Sequence, residues 1–106
     1  MPYQIVLRQH VPGDIAEILE YLASKSRDAA RNFAANLDPS LLVLAEFPGA
    51  GGLKHFRGKA LSGIRSWSVS GFPNHLIYYR ILQGVVEILA ISQGARGMAR
   101  VLRSRV

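Results

Sequence analysis

Apolar residues recur along this chain with two different periods. Residues 3–8, Tyr-Gln-Ile-Val-Leu-Arg, are rich in β-branched and aromatic side chains with a short apolar-polar alternation, which predicts a first strand. His10-Val11-Pro12-Gly13-Asp14 interrupts it. Asp14 followed by Glu17 has capping-box spacing, and Ile15, Ile18, Leu19 and Leu22 repeat at helical intervals, so a helix is predicted over about 13–24. After a polar joint at Ser24-Lys25-Ser26, a second stripe of Ala29, Ala30, Phe33, Leu37, Leu41 and Leu44 predicts another helix, packed antiparallel on the first. Pro39 predicts a kink or break in it, because an interior proline removes a hydrogen bond and clashes with the preceding turn at a cost of about 3 kcal/mol. Asp38 and Pro39 together resemble a local helix restart. Phe47-Pro48-Gly49-Ala50-Gly51-Gly52 then ends the helix and is expected to open a mobile loop through residues 54–59.

The remainder alternates with period two. Residues 61–70 form one predicted strand, Gly71-Phe72-Pro73-Asn74 a turn, 75–82 the next strand, Gln83-Gly84 a two-residue turn and 85–92 the last strand. A two-residue turn fixes register: Leu82 opposite Val85 sets Arg80 opposite Glu87, Tyr79 opposite Ile88 and Tyr78 opposite Leu89. A four-residue first turn sets Arg65 opposite Arg80. One sheet face then carries Arg65, Trp67, Tyr78, Arg80 and Glu87, and the other, carrying Ile77, Tyr79, Ile81, Val86, Ile88 and Ala90, suits the helical hairpin. Arg96, Arg100, Arg103 and Arg105 follow at spacings that place them largely on one side of a short basic C-terminal helix. The expected architecture is therefore α+β: an N-terminal strand, a helical hairpin on a mainly antiparallel twisted sheet of about four strands whose first strand completes the meander, and that last helix.

Length and composition narrow the class. A chain of 106 residues, 49% hydrophobic with ten glycines and five prolines, is read as one globular domain over 1–106, neither disordered nor collagen-like. With no cysteine, a disulfide scaffold, a thiolate metal site and a cysteine nucleophile are excluded. No leader peptide and no apolar run of membrane-spanning length is seen, so a cytoplasmic protein without a membrane partner is expected.

Charge is divided unevenly. Residues 1–53 carry four basic and six acidic side chains, a net of −2, whereas residues 54–106 carry nine basic and one acidic, Glu87, a net of +8. That asymmetry points the second half toward an anionic partner: nucleic acid, a nucleoprotein or an acidic protein segment. No phosphate-binding glycine loop, nucleophile elbow or metal-spaced His and carboxylate group is present, so no metal or cofactor is expected. Lys54, His55, Arg57 and Lys59 could hold phosphates in a basic loop. His75, at a strand start, could take a ribose hydroxyl proton, since histidine titrates near working pH. Trp67 with Arg65 and Arg80 has the residue types of an interface hot spot, with Glu87 available as a counter-ion. Of the adjacent Tyr78 and Tyr79 only one can be exposed, and Tyr79 is placed in the core.

Asp14-Ile15-x-x-Ile18-x-x-Tyr21-Leu22, Leu44-x-x-Phe47-Pro48-x-x-Gly51, Gly63-Ile64-Arg65, Leu76-Ile77-Tyr78-Tyr79-Arg80 and Gly94-Ala95-Arg96, in this order, resemble the toxins of the RelE/ParE superfamily, its ParE-like branch in particular. The resemblance covers nearly the whole chain. It implies a type II toxin held inactive by a cognate acidic antitoxin. ParE-like members inhibit DNA gyrase, and RelE-like members cut mRNA on the ribosome. Arg96 matches the basic position after the last strand, but the central-strand arginine of the RelE-like branch falls at Leu76. The ParE-like reading, gyrase inhibition by binding without chemistry, therefore leads. Arg65, Trp67, Tyr78, Arg80, Arg96, Arg100 and Arg103 are then the expected target or antitoxin contacts. The alternative is a ribosome-dependent endoribonuclease using Lys54, His55, Arg57, His75 and Arg96; a third reading is an attenuated toxin that only binds its antitoxin. The chain departs from the ParE-like pattern at Gly97, where an acid usually stands, and at Ser92-Gln93, where a histidine is frequent.

Overall fold

The computed structural model describes residues 2–106. A short strand β1 (Gln4–Leu7) leads into helices α1 (Val11–Lys25) and α2 (Arg27–Glu46), followed by strands β2 (Gly52–Leu53), β3 (Arg65–Val69), β4 (Phe72–Leu82) and β5 (Val85–Gln93) and the final helix α3 (Met98–Arg105). The strands form one sheet in the order β1-β5-β4-β3-β2, all neighbours antiparallel except β1, which runs parallel to β5. The sheet has five strands where the sequence pattern predicts about four. The fifth is β2, inside a segment whose glycines mask it.

Two apolar layers cover the sheet. On one face α1 and α2 bring Ile18, Leu22, Phe33, Leu37, Leu41 and Leu44 onto Ile77, Tyr79, Val86, Ile88 and Ile91. On the other, the shorter α3 sets Met98 and Leu102 against Leu61, Ile64, Tyr78, Leu89 and Ala90. Each large side chain sealed this way stabilises the fold by about 2 kcal/mol. The helical hairpin forms because its stripes recur every three to four residues, and the single residue Ser26 joins the helices, its Oγ accepting the Ala29 N–H at 3.2 Å as the cap of α2.

Four local expectations are corrected. The first helix starts at Val11, not near residue 13, with His10 at its N-cap, so the Asp14 carboxylate is freed from capping. The helix α2 runs unbroken through Pro39: Ala35, whose carbonyl loses its helical donor there, and Pro39 both lie on the exposed side where water replaces the bond. The stretch expected as one loop contains a 3-10 turn at Pro48–Ala50, β2 and a second 3-10 turn at Lys59–Leu61, with residues 54–58 between them in no regular element. The predicted strand over 61–70 is shortened to β3, which turns into β4 through Ser70-Gly71 alone, Gly71 supplying the positive φ of 80°.

That tighter turn, with irregularities at Ser68/Val69 and Tyr78/Tyr79, changes the faces. Arg65 pairs with Tyr79 and Trp67 with Ile77, so both lie on the α1/α2 side and not beside Arg80. Beyond the bulge Tyr78 pairs with Ala90, not Leu89, and both Leu89 and Ala90 join the α3 side. Leu82↔Val85, Arg80↔Glu87 and Tyr79↔Ile88 stand as the two-residue turn dictates.

Candidate functional site

The basic segment after α2 is held from beneath by Tyr79. Its hydroxyl donates to the Pro48 carbonyl at 2.6 Å and accepts the Gly51 N–H at 2.9 Å, in a site fully closed to solvent. Burial raises the Tyr79 pKa, which keeps the phenol protonated as donor. Gly51 is obligatory here, since a Cβ would stand 2.6 Å from the Ser66 carbonyl oxygen and 2.7 Å from the Tyr79 hydroxyl. Arg65, predicted as a partner contact, instead supports the same clamp, its Nη1 donating to the Gly51 carbonyl at 2.8 Å.

Beyond this clamp the chain brings two stretches of cations together. The Lys54 N–H bonds the Ile64 carbonyl at 2.8 Å, Phe56 packs on the second core, and the Arg103 guanidinium reaches the Arg57 carbonyl at 3.2 Å. The loop of residues 54–59 thus lies beside α3, and His55, Arg57, Lys59, Arg96, Arg100 and Arg103 are all exposed, with Lys54 half-buried. Among the described residues none of these cations has an acidic partner.

The acids that could neutralise them are committed elsewhere. Glu87 takes Arg80 at 2.6 Å and Arg8 at 3.3 Å. Asp14 takes Arg105 through contacts of 2.6 and 2.8 Å and also accepts the Ile91 N–H at 3.1 Å. The Asp14 hydrogen bond raises the Arg105 pKa above its ordinary value against the effect of burial. Arg8 closes the set by donating to the Arg105 carbonyl at 2.9 Å.

A model of the ParE toxin of type II toxin-antitoxin systems (parDE) matches residues 5–98. The chain belongs to the ParE toxin family. Its fold is also similar to a solved structure described as the chromosomal ParDE toxin-antitoxin system from P. aeruginosa, with a TM-score of 0.68 over 88% of this chain and 97% of that one at 13% identity. No curated protein sequence matches it.

In this ParE-family protein the expected contact residues fall into three groups. Arg96, Arg100 and Arg103 share the exposed surface with residues 54–59, although Arg105 departs from the predicted arginine side to bind Asp14. Arg65, Trp67 and Arg80 do not join them: Arg65 and Trp67 lie on the opposite sheet face, where Trp67 packs partly against the first core, and Arg80 is paired with Glu87. Tyr78 is withdrawn as a contact because it is completely buried. Its hydroxyl makes no well-formed hydrogen bond, and burial raises its pKa against a weak contact with Ser92 that lowers it.

His75 is likewise no proton shuttle at this surface. It is buried in the first layer with its ring 5.2 Å from Phe33 and 5.6 Å from Phe72, its Nε2 unpartnered, and desolvation lowers its pKa. Sequence reasoning missed the roles of Asp14, Arg105 and Arg8. Asp14 and Arg105 are 91 positions apart, and only the parallel docking of β1 on β5 and the return of α3 bring their elements together. Among the described residues no cluster of metal-ligating side chains occurs, and no helix is long and apolar enough to cross a membrane.

Proposed function

We propose that this protein is the toxin of a type II pair, that it inhibits DNA gyrase by binding without chemistry of its own, and that a cognate acidic antitoxin neutralises it in the cytoplasm. The observation that carries this reading is the separation of charge from proton-transfer groups. The exposed cations of residues 54–59 and 96–103 form one surface, while His75 and Tyr78 are sealed in the two cores. Phosphodiester cleavage needs an oriented acid and base beside the phosphate. His55 is the one histidine on this surface, and among the described residues no side chain bonds it into position. A docking role asks only for the charge and shape that are present.

A protein partner is supported by a different region. Leu42 and Phe47 at the end of α2 are 62% and 68% exposed, and β1 has its outer edge unpaired. Apolar side chains beside an open strand edge suit an amphipathic helix or an added strand.

The test is DNA supercoiling by purified gyrase with increasing amounts of this protein. Inhibition, reversed by the antitoxin encoded beside it, is the expected result. Undisturbed supercoiling at large molar excess, together with fresh mRNA ends at A-site codons on translating ribosomes, would replace this reading with the endoribonuclease. Silence in both assays would leave the antitoxin-binding role alone.

A further inference from the structure

We infer that the surface formed by residues 54–59 and 96–103 binds duplex DNA directly, through its phosphates and without sequence preference. Six side chains carry the site: Lys54, Arg57, Lys59, Arg96, Arg100 and Arg103. Their charges are uncompensated, because Glu87, the only acid of this half of the chain, is half-buried and paired with Arg80 and Arg8, and Arg105 is satisfied by Asp14. The surface is also fixed in shape. Arg103 ties the loop to α3, Leu61 and Phe56 pack with Met98 and Leu102, and Tyr79 and Arg65 hold the loop's root at Gly51. Fixing the backbone leaves only the ordering of the side chains to be met when a polyanion docks.

The kind of polyanion follows from what the surface lacks. An acidic peptide helix binds through apolar anchors ringed by charge. Most of the exposed large apolar residues lie on other elements, on α1 (Tyr21), on or beside α2 (Leu42, Val43, Phe47), on or beside β1 (Tyr3, Val6, Leu7) and at the end of β4 (Ile81, Leu82); Leu53 and Val106 are close in sequence to the cationic stretches. Single-stranded nucleic acid is gripped by aromatic platforms on which bases stack. Here Phe56 is packed on the second core and Tyr78 is buried, so the surface presents the single imidazole of His55 where a strand of stacked bases needs several rings. What is left is guanidinium and ammonium groups aimed at solvent, the requirements of a regular phosphate backbone read by charge. Arg100 and Arg103, three apart on α3, are neighbours on one side of the helix.

This binding requires no gyrase, so the two readings fail separately: supercoiling inhibition without DNA affinity would remove this inference and keep the proposed function. The experiment is fluorescence anisotropy of a labelled duplex of arbitrary sequence, about two helical turns long, with the whole protein at several salt concentrations. If about four of the six cations meet phosphates, a fourfold rise in salt weakens binding roughly a hundredfold. Each of Arg57→Gln, Arg96→Gln and Arg100→Gln lowers affinity and flattens the salt slope by about one. Thermal unfolding of the same variants, expected to match the parent, separates lost contacts from lost fold. The inference is overturned if the duplex does not bind at low salt or if the triple Gln variant binds equally well. It is also overturned if the matching single strand or poly-glutamate competes more strongly than the duplex.

Discussion

The Asp14 carboxylate and the Arg105 guanidinium meet through two nitrogen–oxygen contacts of 2.6 and 2.8 Å, with only 14% of each side chain exposed. This pair fastens the last helix to the first, and α3 in turn presents Arg100 and Arg103 beside the loop of residues 54–59. Removing one member leaves the other charge without its counter-ion in a site largely closed to water. Asp14→Ala should therefore destabilise the protein by about 3 kcal/mol in urea unfolding. A change within about 0.5 kcal/mol, the size of an ordinary surface substitution, would mean that α3 is held by its apolar contacts alone.

Tyr78 and Tyr79 are adjacent, equally buried and different in consequence. Tyr79→Phe strands the Gly51 N–H and the Pro48 carbonyl, and should cost about 2 kcal/mol. Tyr78→Phe removes a hydroxyl that has only a weak contact with Ser92 and no well-formed hydrogen bond, and should stay within about 0.5 kcal/mol of the parent. Chemical denaturation of the two variants side by side decides the matter. Equal losses would show that the clamp on the loop contributes nothing beyond packing.

His75 gives the fold an acid sensitivity. Its folded pKa is lowered by desolvation below the ordinary 6.5, so the unfolded chain binds the proton more readily than the folded one. Its neutral form contributes fully above pH 6.5, and stability falls as pH drops below that value toward the folded pKa. His75→Phe, among the rings of Phe33 and Phe72, should flatten the upper part of this decline, before carboxylates begin to titrate. Parallel pH curves for parent and variant would contradict the assignment.

Leu42→Ala and Phe47→Ala should change unfolding midpoints little, since both side chains are mostly in water and alanine suits the end of a helix. Each should weaken the antitoxin complex by about tenfold or more if it is an interface anchor. Calorimetric titration with the antitoxin reads this directly, and unaltered affinity would move the partner off this side of the molecule.

The helical hairpin is legible in the sequence because its stripes are long and strictly helical, and the β4–β5 register is legible because Gln83-Gly84 admits only a two-residue turn. The site is half visible. Charge counting finds the cations of residues 54–59 and 96–103, but their junction comes from Leu61 and Phe56 packing with Met98 and Leu102 and from the Arg103 guanidinium reaching the Arg57 carbonyl, contacts between distant segments that no local residue pattern encodes. The misplacement of Arg65 and Trp67 has two causes: Gly71 at positive φ closes the turn through Ser70-Gly71 alone, and the register shift at Ser68/Val69 then changes the pairing by an odd number of residues, which moves the side chains beyond it to the other face. The β-bulge at Tyr78/Tyr79 likewise turns two consecutive residues, Leu89 and Ala90, to the same side, which alternation cannot anticipate. Asp14 carries a local signal for capping that competes with its actual partner 91 positions away.

The joined cationic surface of residues 54–59 and 96–103 is proposed to be what meets the target. Gyrase supercoiling inhibition by the parent protein is to be compared with that of an Arg57→Glu, Arg96→Glu, Arg100→Glu variant, shown by circular dichroism and thermal unfolding to keep the fold. The parent should inhibit, and the variant should need at least about tenfold more protein for the same effect. Equal potency of the two would place the active surface elsewhere on the molecule.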